Sequence, residues 1–395
     1  MLTIFELATV LNRSPFTFFR VEHLNEVKNV LIIQVLNSFV AGILGIALPL
    51  MMDQRQIDVA LVGVIFASMP LIMQLGRLVF ATVSDFWGRK LFFASNGLLG
   101  ILSGLVYYFA RTPLEFVFGK TVEGTKEGTL WAVNRAFLLE KGKGHWRILV
   151  YLRAIVYVAY AVGSLLAGFL IVWLFFEGTM LICTLISVPV FLLALLLIGQ
   201  KRERFSKEKV LQFLDFRQKD RTFKIFLFLF FCWGSAFGLI GGFVIPFFLK
   251  ANSFSPEAIG LIVCLQILMA GLFSYLCSRT SRMRFLTLLS GVLFSAIFAL
   301  LGFSSFLLVG VLIIVSGAVE GMAAIGQEGI LSKICTKESY GTDIGLLMTG
   351  LHIGEALSLV LAGILIETLG YVAPFLLSAA IYAIFYVGSY LNLKE

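Results

Sequence analysis

The chain has 395 residues, of which 59% are apolar and only 14% charged, whereas an ordinary soluble domain is about half apolar and about a quarter charged. With a mean hydropathy of +0.97, this composition excludes a soluble fold, a disordered or collagen-like chain and a disulfide-bonded secreted scaffold. The net charge of +8 needs no nucleic-acid partner, because membrane proteins collect Lys and Arg in their cytoplasmic loops.

Residues 1–29 carry Arg13, Arg20, Glu22, Glu26 and Lys28 among Phe5, Phe16, Phe18 and Phe19. They lack the apolar stretch and small-residue site of a cleaved signal peptide, and read as a cytoplasmic segment along the inner membrane surface. Beyond them, apolar runs of about 20 residues or more, bounded by charges and turn residues, predict twelve transmembrane helices. Their limits are 28–50, 57–80, 91–110, 114–139, 147–174 and 178–198, then 223–249, 256–277, 285–303, 305–332, 341–368 and 371–392. The longest polar stretch falls between the sixth and seventh. The expected fold is therefore an all-α membrane protein with an N-terminal six-helix bundle at 30–198, a cytoplasmic linker at 199–222 and a C-terminal six-helix bundle at 223–395.

With both termini on one side, 23 of the 31 Lys/Arg lie on that side, three (Arg55, Arg111 and Lys250) lie on the other, and five fall within spans. Cationic loops resist translocation, so this asymmetry puts both termini in the cytoplasm. Short loops and no large extramembrane domain point to a prokaryotic inner, or plasma, membrane. The five cysteines are scattered without ligand spacing and read as packing residues. No metal site, cofactor, phosphate-binding loop or catalytic constellation is evident, so an enzyme is not expected.

The halves echo one another. Val122-Glu123-Gly124 in span 4 matches Val319-Glu320-Gly321 in span 10 at an offset of 197, and Gly63 and Gly260 share that offset. In span 5, residues 166–171 (Leu-Ala-Gly-Phe-Leu-Ile) match 361–366 of span 11 (Leu-Ala-Gly-Ile-Leu-Ile) at an offset of 195. Such a duplication is the mark of a transporter built from two parallel repeats, with its site between them near mid-membrane.

The loop after span 2 reads Ala81-Thr82-Val83-Ser84-Asp85-Phe86-Trp87-Gly88-Arg89-Lys90. Between spans 2 and 3 of a duplicated twelve-span chain, this resembles the G-x-x-x-D-x-x-G-R-K/R signature of the major facilitator superfamily of secondary transporters. Ala81 replaces the first Gly, and the resemblance extends over the whole chain. It implies that Asp85, Gly88, Arg89 and Lys90 form a conformational latch between the halves. The equivalent loop at 278–284 is basic but lacks the Asp and Gly.

Span 4 holds Lys120, Glu123, Lys126 and Glu127 within ten residues at membrane depth, where each charge costs about 2.5–3.5 kcal/mol on insertion scales. Lys120, Glu123 and Glu127 fall within about 60° on a helical wheel, with Lys126 on the adjacent flank and Trp131 and Asn134 continuing the stripe. The stripe reads as the lining of a central cavity. Pairing of Lys120 with Glu123, and of Glu123 with Lys126, is the structural alternative. The resemblance adds a second reading of Lys120, since the family often carries Arg-x-x-x-Gly here, its Arg being implicated in proton transfer, and Lys120 and Gly124 keep that spacing.

Further candidates for the substrate and proton pathway are Glu320 and Gln327 in span 10, His352 and Glu355 in span 11, Arg153 in span 5 as a counter-charge, and Gln34 and Asn37 in span 1. A desolvated carboxylate can hold a proton near neutrality. Glu320 ranks first as the coupling group because no basic residue lies within a helical turn of it. Gly234, Gly238, Gly241, Gly242 and Pro246 mark span 7 as a place to pack closely or bend. In span 5, Ala159, Gly163, Ser164, Ala167 and Gly168 partly match the pattern of the family's antiporters, with Ser for Pro, which favours export.

The expected function is proton-coupled transport of a small solute by alternating access, as a drug or metabolite exporter. An importer of amino acids or similar metabolites, and a non-transporting sensor of the same fold, remain alternatives. The expected partners are a small-molecule substrate, protons and the lipid bilayer, with the chain acting as a monomer.

Overall fold

The structure is a computed structural model that describes residues 21–141, 147–198, 219–278, 280, 283–304, 306–335 and 340–393. It is all-helical among these residues. The first half contains α1 (Val21–Gln54), α2 (Val59–Trp87), α3 (Arg89–Phe109), α4 (Pro113–Lys141) and α5 (Arg147–Leu195). The second contains α6 (Arg221–Ile240), α7 (Val244–Ala251), α8 (Pro256–Cys277), α9 (Met283–Leu301), α10 (Phe306–Ile334), α11 (Tyr340–Leu369) and α12 (Val372–Asn392). Ten segments are long and apolar enough to cross a membrane. Helix α4 is not among them, because its charges violate that pattern.

Local chemistry sets several boundaries. Asp220 caps α6 by accepting from the Phe223 N–H at 2.8 Å, and Ser255 caps α8, whose first residue is Pro256, the position where proline's missing N–H costs nothing. Gly88 joins α2 to α3 at φ 85°, a left-handed conformation open to glycine. Helix α5 is interrupted at Phe175, whose φ is 57°. Its first arm packs against α8, with Gly168 at Pro256 and Gly260 at Ser164, and its second arm against α3, with Gly97 at Phe191 and Gly104 at Thr184. The chain therefore turns back at Phe175. Between α6 and α7 the helix breaks over Gly241–Phe243, where Gly242 takes φ 58°; the glycines of this segment do bend it. Gly234 and Gly238 instead lie against the α11 backbone at Leu351 and Glu355, which is the packing role small residues play between membrane helices.

The helix pairings repeat between halves. α1 packs along α5 as α6 does along α11, α2 on α4 as α8 on α10, and α3 on α4 as α9 on α10. The halves meet along two seams, α2 with α11 and α5 with α8. We call the end where α1 begins and α12 ends the terminal rim, and the opposite end, holding the α1–α2 turn, the distal rim. Toward the distal rim the seams close backbone to backbone: a Cβ on Gly63 would stand 2.5 Å from the Leu359 carbonyl, and one on Gly363 2.6 Å from that of Val59. Lys250 bridges to Asp53 there, and the Ala60 N–H donates to Glu367 at 3.0 Å. Toward the terminal rim the ties are polar side chains. Gln74 donates to Thr349 at 2.7 Å, and Arg153 pairs with Glu328 at 3.1 Å.

Some sequence expectations fall differently. Helix α1 starts at Val21 and buries Glu26 and Val27, so the last residues of the 1–29 segment belong to the first long helix. Residues 1–20, and most of the 199–222 linker, lie outside the described residues.

Candidate functional site

Helix α4 carries its charges into the centre of the first half, and each is met there. Lys120 Nζ lies 2.9 Å from Glu123 Oε2 and 4.4 Å from the centre of the Phe66 ring. The Tyr107 hydroxyl donates to the same Glu123 oxygen at 2.5 Å. Lys126 pairs with Glu127 at 3.1 Å, and the Trp131 indole N–H donates to Glu127's other oxygen at 3.1 Å. The expected pairing of Lys120 with Glu123 is present; that of Glu123 with Lys126 is replaced by the Lys126–Glu127 pair. The reason is height along the neighbouring helix: both side chains face α3, but the Lys126 stem reaches Gly100, while Glu123 is held about two turns away by Lys120 and Tyr107.

A ladder of amides extends from these pairs toward the terminal rim. Asn134 donates to Gln34 at 2.5 Å, Gln34 to Ser38 at 3.2 Å, Asn37 to Asn96 at 2.9 Å, and Asn96 to the Lys126 carbonyl at 3.0 Å. All five amide and hydroxyl side chains are buried. Of the sequence candidates, Gln34, Asn37 and Asn134 thus bind helices α1, α3 and α4 together.

The second half is less neutralised. His352 Nδ1 lies 3.0 Å from Glu355, as one helix face implies. Gln327 is buried. Glu320 is half-buried in the middle of α10, and it has no ion pair or hydrogen bond within reach among the described residues. One nearby cationic group acts on it across the seam, Arg153, whose own partner is Glu328. Arg153 was expected to counter an acid; the acid it pairs with is nearer the rim. Because Arg153 and Glu328 are 39% and 50% exposed, Arg153→Ala is expected to change the melting stability by no more than about 1 kcal/mol. A larger loss in thermal unfolding would contradict this solvated geometry.

Four tyrosines absent from the sequence candidates lie within electrostatic reach of the acids. Tyr160 in α5 lies against Gly45 and within electrostatic reach of Glu123, Glu127 and Glu320. Tyr157, one turn away, packs on Gly271 and also feels Glu320. Tyr382 and Tyr386 of α12, both buried, feel Glu320 as well. A tyrosine in a span counts as apolar in composition, yet its hydroxyl is a polar tip; a phenol on the seam-facing side of span 5 was the available signal.

At the α2–α3 turn, Gly88 makes the expected tight turn, but Arg89 is buried rather than displayed as a surface cation. Lys90 is half-buried. The side chain of Asp85 lies outside the described residues.

An all-helical chain with membrane-length helices, paired halves and ion pairs buried inside a helix defines a multi-pass membrane protein. The family model for the Major Facilitator Superfamily matches residues 30–288 and 226–394, and the chain belongs to that superfamily. It is a transporter rather than an enzyme. No curated protein matches its sequence. Among solved structures it is similar to the nucleoside transporter NupG, with a TM-score of 0.75 at 16% identity over 93% of this chain and 99% of that one. A point variant of NupG gives 0.77 at 17% identity, over 93% and 100%. The human organic anion transporter MFSD10 gives 0.69 at 14% identity, again over 93% and 100%.

Proposed function

We propose that this chain is a proton-coupled secondary transporter that moves a small solute by alternating access between two six-helix bundles, 30–198 and 223–395. Twelve crossings follow if α4 is counted despite its charges, α5 as two arms about Phe175, and α6 with α7 as one broken span. The Lys/Arg distribution supports a terminal rim in the cytoplasm of a prokaryotic inner membrane. The two seams, glycine-packed at one rim and tied by polar side chains at the other, suit halves that rock about the centre.

The observation that carries the coupling is Glu320. Glu123 and Glu127 of α4 are each held by a lysine, whereas Glu320 sits at mid-helix, at the junction of the halves, without a partner of its own among the described residues. Such a group can load and release a proton as the halves exchange its surroundings. Reconstituted into liposomes, the protein is expected to move substrate when a pH gradient is imposed. Glu320→Gln is expected to lower gradient-driven flux by about 100-fold or more, within the range of a lost acid–base group, while leaving gradient-independent exchange of substrate. Flux of the wild type that ignores the gradient would refute the coupling. Reversing the gradient reads the direction, which the span-5 pattern favours as export.

A further inference from the structure

We propose that the groove between α6 and α11 near the terminal rim binds one anionic phospholipid, its phosphodiester at Arg221 and Lys224 and an acyl chain between Phe228 and Ile353. The site lies on the lipid side of the bundle, apart from the acids and ion pairs of the centre.

Helix spacing makes the groove. Lys224, Leu227, Phe228 and Phe231 share one face of α6, and Gly350 and Ile353 meet them from α11, enclosing about 360 Å³. That volume is within the range of small-molecule sites. From Lys224 to Phe231 the groove covers two turns of α6, about 10 Å along the helix. Gly350 forms its floor, where even a Cβ would stand 3.0 Å from Leu227. Phe228 and Phe231 stack with ring centres 6.5 Å apart and give it one flat wall.

Exposure shows which way the groove opens. Ile353, Leu357, Leu361 and Ile364 are all exposed on α11, at the spacing of one apolar stripe along a helix. Glu355 falls on the opposite side of that helix. An apolar stripe left open over most of a membrane helix is its lipid face, and Phe228 is exposed beside it. At the rim end of the groove stand Arg221 and Lys224, both exposed and three residues apart, hence on one face of α6. The groove is therefore cationic at its rim end and hydrocarbon below, the polarity of a phospholipid. Lysine suits this depth, since its stem lies along apolar surface while its ammonium reaches polar groups. Thr349 also lines the groove and accepts from Gln74 of the other half at 2.7 Å, so the occupant sits beside the terminal-rim tie.

Charge selects the headgroup. Asp343, 1% exposed, is matched by Lys219 at 2.6 Å, and Asp220 is engaged in capping α6. Asp220, Arg221 and Lys224 together leave one positive charge at this corner. The adjoining linker at 201–218 carries six Lys/Arg against three Asp/Glu. Its own positive charge sets it against Arg221 and Lys224 as an occupant, and adds to the attraction that basic segments exert on anionic lipid. A phosphodiester with an uncharged headgroup supplies the single negative charge. A choline or ethanolamine headgroup would bring a second cation to a site that already has two.

The test uses the purified full chain, stripped of lipid in a mild detergent. The probes are dioleoylphosphatidylglycerol, dioleoylphosphatidylcholine, which has the same chains and no net charge, and inorganic phosphate. Native mass spectrometry counts bound lipid, and thermal unfolding reads its effect. Saturable binding of phosphatidylglycerol with a raised melting temperature is expected, and neither from phosphatidylcholine nor from phosphate. Lys224→Gln should weaken phosphatidylglycerol by about fivefold, and the double variant with Arg221→Gln by about 25-fold. Lys28→Gln, which removes an exposed lysine of α1, should leave the affinity unchanged. Ile353→Trp, which fills the groove from its exposed edge, should weaken it by about tenfold or more. Equal binding of the two lipids, an equal shift with phosphate, or an affinity that survives both the double variant and Ile353→Trp would overturn the proposal. A loss with Lys28→Gln equal to that with Lys224→Gln would also overturn it, as an effect of the whole basic surface. So would a disulfide between cysteines placed at Ile353 and Phe213, which would put the linker in the groove, or a mass of two chains that Ile353→Trp reduces to one.

Discussion

Lys120→Met is expected to destabilise the protein by about 3–5 kcal/mol, the usual result of stripping one partner from a buried pair. The lysine is 4% exposed, and so is Glu123; without Nζ, the Glu123 carboxylate keeps only the Tyr107 hydroxyl. The reverse change, Glu123→Gln, should cost less. The amide still accepts from Tyr107, and Lys120 still has the Phe66 ring, a contact worth up to about 2 kcal/mol when desolvated. The double variant, with both changes, should recover much of the Lys120→Met loss, because no uncompensated charge is left. Chemical or thermal unfolding of the four proteins in one detergent gives the cycle. Equal stability of Lys120→Met and wild type would mean that Glu123 is already neutral.

Two glycine substitutions should separate packing within a half from closure between halves. A Cβ at Gly317 would run into the Gln266 carbonyl, where α10 meets α8 inside one half. Nothing can open there without unfolding, so Gly317→Val should destabilise by about 1–3 kcal/mol or more. At Gly63 the obstacle is Leu359 O at 2.5 Å, across the seam. The halves can answer by staying apart, so melting should change little. The same ~1–3 kcal/mol would instead move the balance between open and closed distal rims by about 5- to 150-fold, and transport should fall accordingly. A Gly63→Val protein that melts as far below the wild type as Gly317→Val would show that this rim never opens, and transport at the wild-type rate would show that its tight closure is not needed. Accessibility of a cysteine placed at Val59 to a membrane-impermeant reagent reads the shift directly.

The large features were legible because they depend on averages and spacing. The charge deficit, the offset shared by Glu123 and Glu320, and the glycines of span 7 each rest on chain-local physics, and the helices, their repeated pairings and the α6–α7 break follow them. The His352–Glu355 contact was readable for the same reason, since three residues apart means one face. What depends on register between helices was not readable. Lys126 is one residue from Glu127 and three from Glu123, and which it meets is decided by how α4 sits against α3. The partners of Gln34 and Asn37 stand 100 and 59 residues away, beyond any periodic signal. Tyr157 and Tyr160 were hidden by composition, which scores phenol as hydrocarbon. Glu320 kept its place as the isolated acid of its helix, although Arg153 touches it electrostatically from a span that sequence distance could not bring near.

The glycine seam at the distal rim has a consequence for the membrane around it. Gly63 on Leu359 and Gly363 on Val59 touch without intervening side chains, so at these two points the closed seam has little slack to absorb a change in the angle between α2 and α11. Helix angles follow bilayer thickness through hydrophobic mismatch. A thicker or thinner bilayer is therefore expected to shift the balance between the two rims. At the terminal rim, the long Arg153 and Glu328 side chains can swing to accommodate the same tilt. The two rims thus differ in compliance.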